Sequence, residues 1–224
     1  MKVALIVFAG LALLSCDARG HRAAEVRAIR PSEVANFGAL FSQNCSGCHG
    51  KDGQGALTVG IGRPVYLAIA DDATIRRTIE EGRPGTPMPA FAKRAGGMLM
   101  DAQIEILVRG IRNWATLGPL DYENLPPYAS LQTGNAARGR EVFARACSSC
   151  HGQDGRGARA IADRSYLALV TDQHLRTVVI VGMPNLGMPD WRGHSKPLTD
   201  GDVTDLVAWL ASQRESLWLT HLNP

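Results

Sequence analysis

The hydrophobic positions of this 224-residue chain form one unbroken run and several shorter periodic stripes. The run, Val3 to Leu14, follows Lys2 and is twelve residues long. That is short for a bilayer span, which takes about 17–25 residues, and it suits the apolar region of a secretory signal. The stripes have helical spacing. Phe37, Leu40 and Phe41 fall at i, i+3, i+4, and Val142, Phe143 and Ala146 do similar work farther on. Ile104, Leu107, Val108 and Ile111 follow i, i+3, i+4, i+7, as do Val203, Leu206, Val207 and Leu210. Each set is the buried face of an amphipathic helix. Thr199 with Asp202 has the form of a capping box ahead of the last stripe.

The stripes come in pairs because the chain repeats itself. Phe41 and Phe143 both stand four residues before a cysteine, and beyond these the offset settles at 100. Tyr66-Leu67-Ala68 matches Tyr166-Leu167-Ala168, and Arg76 matches Arg176. Asp72 and Asp172 are expected helix N-caps, and Gly82 and Gly182 expected helix stops. Met88-Pro89 then matches Met188-Pro189, with Phe91 and Trp191 two residues beyond each proline. Between the repeats, Gly118-Pro119 to Gly134, with Pro126-Pro127, Tyr122 and Tyr128, reads as a semi-extended linker.

Composition adds little until the cysteines are counted. The apolar fraction of 45% is that of a globular protein, and 24 Gly with 12 Pro imply many turns. A net charge of +3 is too weak to imply nucleic acid as a partner. Of the five cysteines, four lie in Cys45-Ser46-Gly47-Cys48-His49 and Cys147-Ser148-Ser149-Cys150-His151. Paired cysteines in an exported chain also suit disulfides or zinc. Neither explains a histidine directly after both pairs, whereas C-x-x-C-H is the c-type haem attachment signature. On a helical turn, residues i, i+3 and i+4 share one face. Two thiols can then join the two vinyl groups of one haem, and the next imidazole stands over the iron. Cys45, Cys48, Cys147 and Cys150 are the expected attachment points, and His49 and His151 the proximal iron ligands.

After each histidine comes Gly-x-Asp-Gly-x-Gly: Gly50, Asp52, Gly53, Gly55, and Gly152, Asp154, Gly155, Gly157. This run lacks the spaced carboxylates of an EF-hand and the lysine of a P-loop. It reads as turns wrapping the haem edge. Met88 and Met188 are the expected sixth ligands. Each sits in a Gly/Pro-rich loop that can aim a single side chain inward, and Met/His ligation raises the potential. Met183 also precedes a proline, but its repeat partner is Arg83. Met98 and Met100 approach the next helix. His174 and His194 have no histidine partner in the first repeat and are expected at the surface.

This order of elements resembles the cytochrome c fold, twice over. N-terminal helix, C-x-x-C-H turn, Gly-rich loop, Met loop and C-terminal helix recur across about residues 33–115 and 134–214. The resemblance implies an all-α chain of two tandem cytochrome c-like domains, each wrapped around one covalent haem c, with the first and last helices of each domain crossing. The expected organisation is a signal peptide over 1–15, a tether over 16–32, domains over 33–115 and 134–224, and a linker over 116–133.

The end of the apolar run, Leu13-Leu14-Ser15-Cys16, resembles the lipobox of bacterial lipoproteins. In that resemblance Cys16 is lipidated and becomes the mature N-terminus; an ordinary cleaved signal with Cys16 incidental is the alternative. Asp17 after the lipidated cysteine favours the inner membrane, on the periplasmic side. Arg19, Arg22, Arg27 and Arg30, against Asp17 and Glu25, give the tether a composition suited to an anionic membrane surface.

Iron held by His and Met has no open position for a substrate. The expected function is therefore single-electron transfer between redox partner proteins rather than catalysis. The resemblance is to di-haem cytochromes that serve as free carriers or as subunits of quinol-oxidising or dehydrogenase complexes in respiratory chains. A di-haem peroxidase is the alternative, and would need one iron with a labile or missing sixth ligand. A haem-based gas sensor would need a signalling module, which the sequence does not show.

Overall fold

Each apolar stripe becomes a helix. The structure, a computed structural model, describes residues 28–115, 124–157, 159–194 and 196–219, with side chains as far as 214. Two units are distinguished, residues 1–33 and residues 34–224. In the first, the described part holds a short 3-10 turn, Pro31–Glu33, with Arg30 paired to Glu33 at 2.7 Å. The expected signal peptide, Cys16 and Asp17 lie outside the described residues.

The second unit carries both repeats. The first comprises α1 (Phe37–Asn44), α2 (Ser46–His49), α3 (Pro64–Ile69), α4 (Asp72–Glu81) and α5 (Asp101–Arg112). The second comprises α6 (Ala136–Ala146), α7 (Ser148–His151), α8 (Arg164–Ala168), α9 (Asp172–Val181) and α10 (Asp200–Leu219). Among the described residues there is no strand, only the isolated bridges Ala92–Leu99 and Met183–Met188. No described helix is long and apolar enough to cross a membrane.

Local chemistry sets the helix ends. Asn36 and Asn135 cap α1 and α6 by accepting from the Ala39 and Arg138 N–H groups. The expected caps at Asp72 and Asp172 are each one residue too late. Asp71 caps α4 by accepting from Thr74, and Thr171 caps α9 by accepting from His174. The cap must have extended backbone, and Asp71 has φ −75° and ψ 169°. Asp72 and Asp172 are the first helical residues, where a carboxylate meets the positive end of the helix dipole. Both are also tied down by an arginine at the end of the repeat. Arg112 reaches Asp72 at 2.7 Å and donates to the Leu67 and Ala70 carbonyls. Arg214 reaches Asp172 and donates to the Leu167 and Val170 carbonyls. Gly82 and Gly182 end α4 and α9 as expected, with φ of 66° and 71°. The capping box of α10 is formed: Thr199 accepts from the Asp202 N–H, and Asp202 accepts from the Thr199 N–H.

The N-terminal and C-terminal helices of each repeat pack together, α1 on α5 and α6 on α10. A glycine marks the closest approach in each. At Gly110 of α5, an added Cβ would lie 2.0 Å from the Phe37 ring. At Gly139 of α6, it would lie 1.9 Å from the Asp205 carbonyl oxygen and 2.8 Å from the Trp209 Cβ. The cores beneath are apolar, with Leu40, Phe41, Ile104, Leu107 and Ile111 in one repeat and Phe143, Leu167, Ile180, Leu206 and Leu210 in the other. Phe41 and Phe37 stack edge-on against Trp114, and Phe143 lies 4.4 Å from Trp209, ring centre to ring centre.

Residues 116–123 of the expected linker lie outside the described residues; the described part, 124–133, has no helix and is docked on the second repeat. Arg176, 4% exposed, donates to the Pro127 and Tyr128 carbonyls and to Thr204, and pairs with Asp200. Its repeat partner Arg76 only pairs with Glu105, both half-exposed. The register is shared, but the role is not.

Candidate haem sites

Both C-x-x-C-H segments are single helical turns of the same geometry. Cys45 closes α1 and opens α2, and its carbonyl accepts from Cys48 at 3.2 Å and from His49 at 3.0 Å. Cys147 closes α6 and opens α7, with the same bonds from Cys150 at 3.2 Å and His151 at 3.0 Å. Five residues of backbone thus put two thiols and one imidazole on one face. All four thiols are free, and none is in a disulfide. Cys48 and Cys150 are exposed, while Cys45 and Cys147 are half-buried. Burial, with the neighbouring Cys48, pushes the Cys45 thiol up to about 12. Burial pushes Cys147 up to about 11, opposed by Arg145 and reinforced by Cys150. Among the described residues no three His, Cys, Asp or Glu groups converge as a metal cage.

The Gly-rich loops orient the imidazoles. Gly55 donates to the His49 carbonyl at 2.8 Å, and Gly157 to the His151 carbonyl at 2.9 Å. These turns bring the chain back over the ring it has just left. Val59 then presents its carbonyl 3.1 Å from His49 Nδ1, and Arg159 its carbonyl 2.6 Å from His151 Nδ1. A carbonyl can only accept, so Nδ1 carries the proton and Nε2 keeps its lone pair for a metal. Burial disfavours the charged ring and lowers the His49 pKa, an effect partly offset by the Val59 bond. Gly50 (φ 80°) and Gly152 (φ 79°) take the left-handed conformation that the reversal requires. The residues therefore fit haem c in both repeats: two free thiols and an imidazole held through Nδ1, with its outer nitrogen available.

The methionine loops also repeat. Arg83 N–H donates to the Met88 carbonyl at 3.0 Å, and Met183 N–H to the Met188 carbonyl at 2.9 Å. The pairing of Arg83 with Met183 and of Met88 with Met188 is thus a structural equivalence. Met88, Met183 and Met188 are half-buried. Met98 is 80% exposed and Met100 40%. The expectation of surface histidines is corrected. His174 is half-buried in the second unit, and its pKa falls to about 4 through burial, then Arg83 and His49. His194 is half-buried too, and burial lowers it against the Ala146 carbonyl and Asp190. Sequence reasoning placed them by the lack of a repeat partner, which says nothing about packing.

The Val59 and Arg159 carbonyls were missed because a backbone acceptor leaves no side-chain signature. Arg112 and Arg214, which bond backbone carbonyls at the end of each repeat, were missed as well, because an arginine near the end of an amphipathic helix is ordinary in sequence.

Known proteins agree with this architecture. Residues 32–109 and 134–210 each match the family described as cytochrome c oxidase, cbb3-type, subunit III. The cbb3-type cytochrome c oxidase subunit CcoP of Azospirillum sp. (strain B510) is 31% identical over 192 residues, 81% of this chain and 53% of that protein. CcoP of Azospirillum brasilense is 28% identical over 198 residues, again 81% and 53%. The chain thus spans about half the length of these curated relatives. A solved chain of a reducing HAO-like protein complex from Kuenenia stuttgartiensis is 20% identical with a TM-score of 0.43, covering 82% of this chain and 98% of that one. With its signature turn present in both matched segments, the chain belongs to the cbb3-type cytochrome c oxidase subunit III family, an all-α protein of two tandem cytochrome c-like domains that bind two covalent haem c groups.

Proposed function

We propose that this chain is an exported, lipid-anchored di-haem cytochrome c that passes single electrons between protein partners. The observation that carries the reading is the duplicated imidazole frame: His49 and His151 each fixed through Nδ1 by a backbone carbonyl, with Nε2 left for iron. Cys45 and Cys48 hold one haem and Cys147 and Cys150 the other, as thioethers that survive outside the cytoplasm. Met88 and Met188 supply the sixth ligands from their loops. Each bound haem stores one electron by cycling between ferric and ferrous iron. The Val59 and Arg159 carbonyls hold the two imidazoles in the orientation that ligation needs. Because the relatives are named as oxidase subunits, the proposed setting is a respiratory oxidase-type complex. Attachment is through a lipidated Cys16 on the periplasmic side.

Carbon monoxide and peroxide added to the reduced protein test the reading. No change at either haem is expected, since both iron faces are taken. A spectral response with peroxide turnover at one haem would make the chain a di-haem peroxidase instead. Mass spectrometry of the mature N-terminus tests the anchor: acyl chains on Cys16 are expected, and an unmodified N-terminus downstream of it would refute the anchor alone.

A further inference from the structure

We infer that Asn185 and Tyr128 are positioning residues that hold the two haem-bearing repeats against one another along a fixed seam, and so set how fast an electron passes between the haems. This rests on the electron-transfer reading above and adds to it where the electron crosses and what sets that crossing.

Helices α4 and α9 are repeat equivalents, yet they are buried differently. In α4 only Ile75 and Ile79 are buried, whereas in α9 every residue from Leu175 to Val181 is. Sequence explains the difference: Arg77, Glu80 and Glu81 of α4 stand where α9 has Thr177, Ile180 and Val181. One face of α9 serves its own core. The other packs against α3 of the first repeat. The second half of α9, Thr177 to Val181, carries no charge and is buried throughout, so the contact is written into composition as well as geometry.

The seam is closed by polar contacts from the haem-bearing loops. Asn185 sits inside the Met183–Met188 loop, and its amide nitrogen lies 3.3 Å from both the Gln54 and Gly55 carbonyls. Those carbonyls belong to the Gly-rich loop that follows His49. Arg63 donates in turn to the Asn185 Oδ1 at 3.4 Å. On the other side, Tyr128 is held by both repeats. Its carbonyl accepts from Gln173 and Arg176 of α9, while its hydroxyl bonds Arg83, whose N–H closes the Met88 loop. The methionine loop of the second repeat thus docks on the haem loop of the first, and the linker ties α9 to the methionine loop of the first.

Such a seam brings the ligand loops of the two haems together and fixes their separation. One electron leaves ferrous iron in one domain, which becomes ferric, and reduces ferric iron in the other. No bond forms or breaks and no proton moves. The side chains contribute only distance and orientation.

The test uses the full holo-protein. A flavin semiquinone generated by a light flash delivers less than one electron per molecule, and absorbance follows its redistribution between the haems. Pulsed EPR of the fully ferric protein reads the dipolar coupling between the two irons. Wild type should show a redistribution phase independent of protein concentration. The double variant Asn185→Leu/Tyr128→Phe should keep two haems and unchanged absorption spectra, lose that phase and show weakened coupling. Asn185→Gln, which keeps the amide, should retain both signals. A double variant with the wild-type phase and coupling would overturn the proposal, as would a wild type with no such phase although each haem is reduced separately. Failure of the underlying reading looks different: neither haem would take up an electron reversibly.

Discussion

Gly139 of α6 lies so close to Trp209 of α10 that an added Cβ would sit 2.8 Å from the tryptophan Cβ. The first repeat solves the same crossing with the sizes exchanged. Phe37 stands where the second repeat has Gly139, and Gly110 where it has Trp209. One bulky ring and one glycine meet in each case, with the bulk supplied by opposite helices. The two glycines are not equally replaceable. Gly110 faces a ring that can rotate, whereas Gly139 faces the Asp205 backbone carbonyl at 1.9 Å. Gly139→Ala should therefore destabilise the holo-protein by about 1–3 kcal/mol, read as a lowered urea midpoint. Gly110→Ala should cost less, and less again in a Phe37→Leu background, since trimming the ring removes the clash.

The unequal arginines give a second prediction. Arg176→Met strands the Pro127 carbonyl and the Asp200 carboxylate, and should cost about 3–5 kcal/mol. Arg76→Met removes only a half-exposed pair with Glu105 and should cost less than about 1 kcal/mol. Denaturant midpoints of the two variants, compared with wild type, check the contrast. Equal midpoints would mean that the linker is not anchored through Arg176.

Asp205 links pH to stability. Burial raises its pKa, but the Arg138 side chain and the Asn135 N–H outweigh that and leave it lowered. A folded carboxyl below its unfolded value stabilises the fold above the ordinary carboxylate range. That share is lost as pH falls through the lowered value. Asp205→Asn should be less stable than wild type by about 1–2 kcal/mol near neutrality. The gap should close as pH drops below about 4. Urea midpoints across the acid range test this; a gap that stayed constant with pH would assign the loss to packing instead.

Covalent attachment gives a fourth prediction. Two haems should remain with the chain after denaturation and acid–acetone extraction. Cys147→Ala should weaken attachment of one haem only, and Cys45→Ala that of the other, each seen as a mass loss of one haem from the denatured chain. Loss of both haems from either variant would show that the two sites mature together.

The parts of this fold that were legible in the sequence are those carried by side-chain identity at fixed spacing. The stripes at Phe37–Phe41 and Val203–Leu210, the two C-x-x-C-H turns and the glycine stops at Gly82 and Gly182 are of this kind. Caps were misread by one residue because identical aspartates, Asp72 and Asp172, drew attention from the unlike residues Asp71 and Thr171, whose extended backbone does the capping. The imidazole partners escaped notice because Val59 and Arg159 act through carbonyls, which any residue possesses. His174 was misplaced for a related reason: it is half-buried on α9, which packs against α3 of the other repeat, and no periodicity within one repeat reports contacts with the next. The uncharged replacement of Arg77, Glu80 and Glu81 by Thr177, Ile180 and Val181 on α9 was a readable sign of that contact.

A spectroelectrochemical titration of wild type, Met88→His, Met188→His and Met183→Leu tests the central claim most directly, that both irons carry His/Met ligation for one-electron transfer. Thioether sulfur favours ferrous iron, so wild type should titrate as two reversible one-electron steps at relatively high potential. The oxidised protein should show the weak near-infrared band of methionine-bound iron. Met88→His and Met188→His should each remove one haem's share of that band and lower that haem's potential, and Met183→Leu should leave both potentials nearly unchanged. A wild type without the band, or a potential that falls with Met183→Leu while Met188→His changes nothing, would contradict the account.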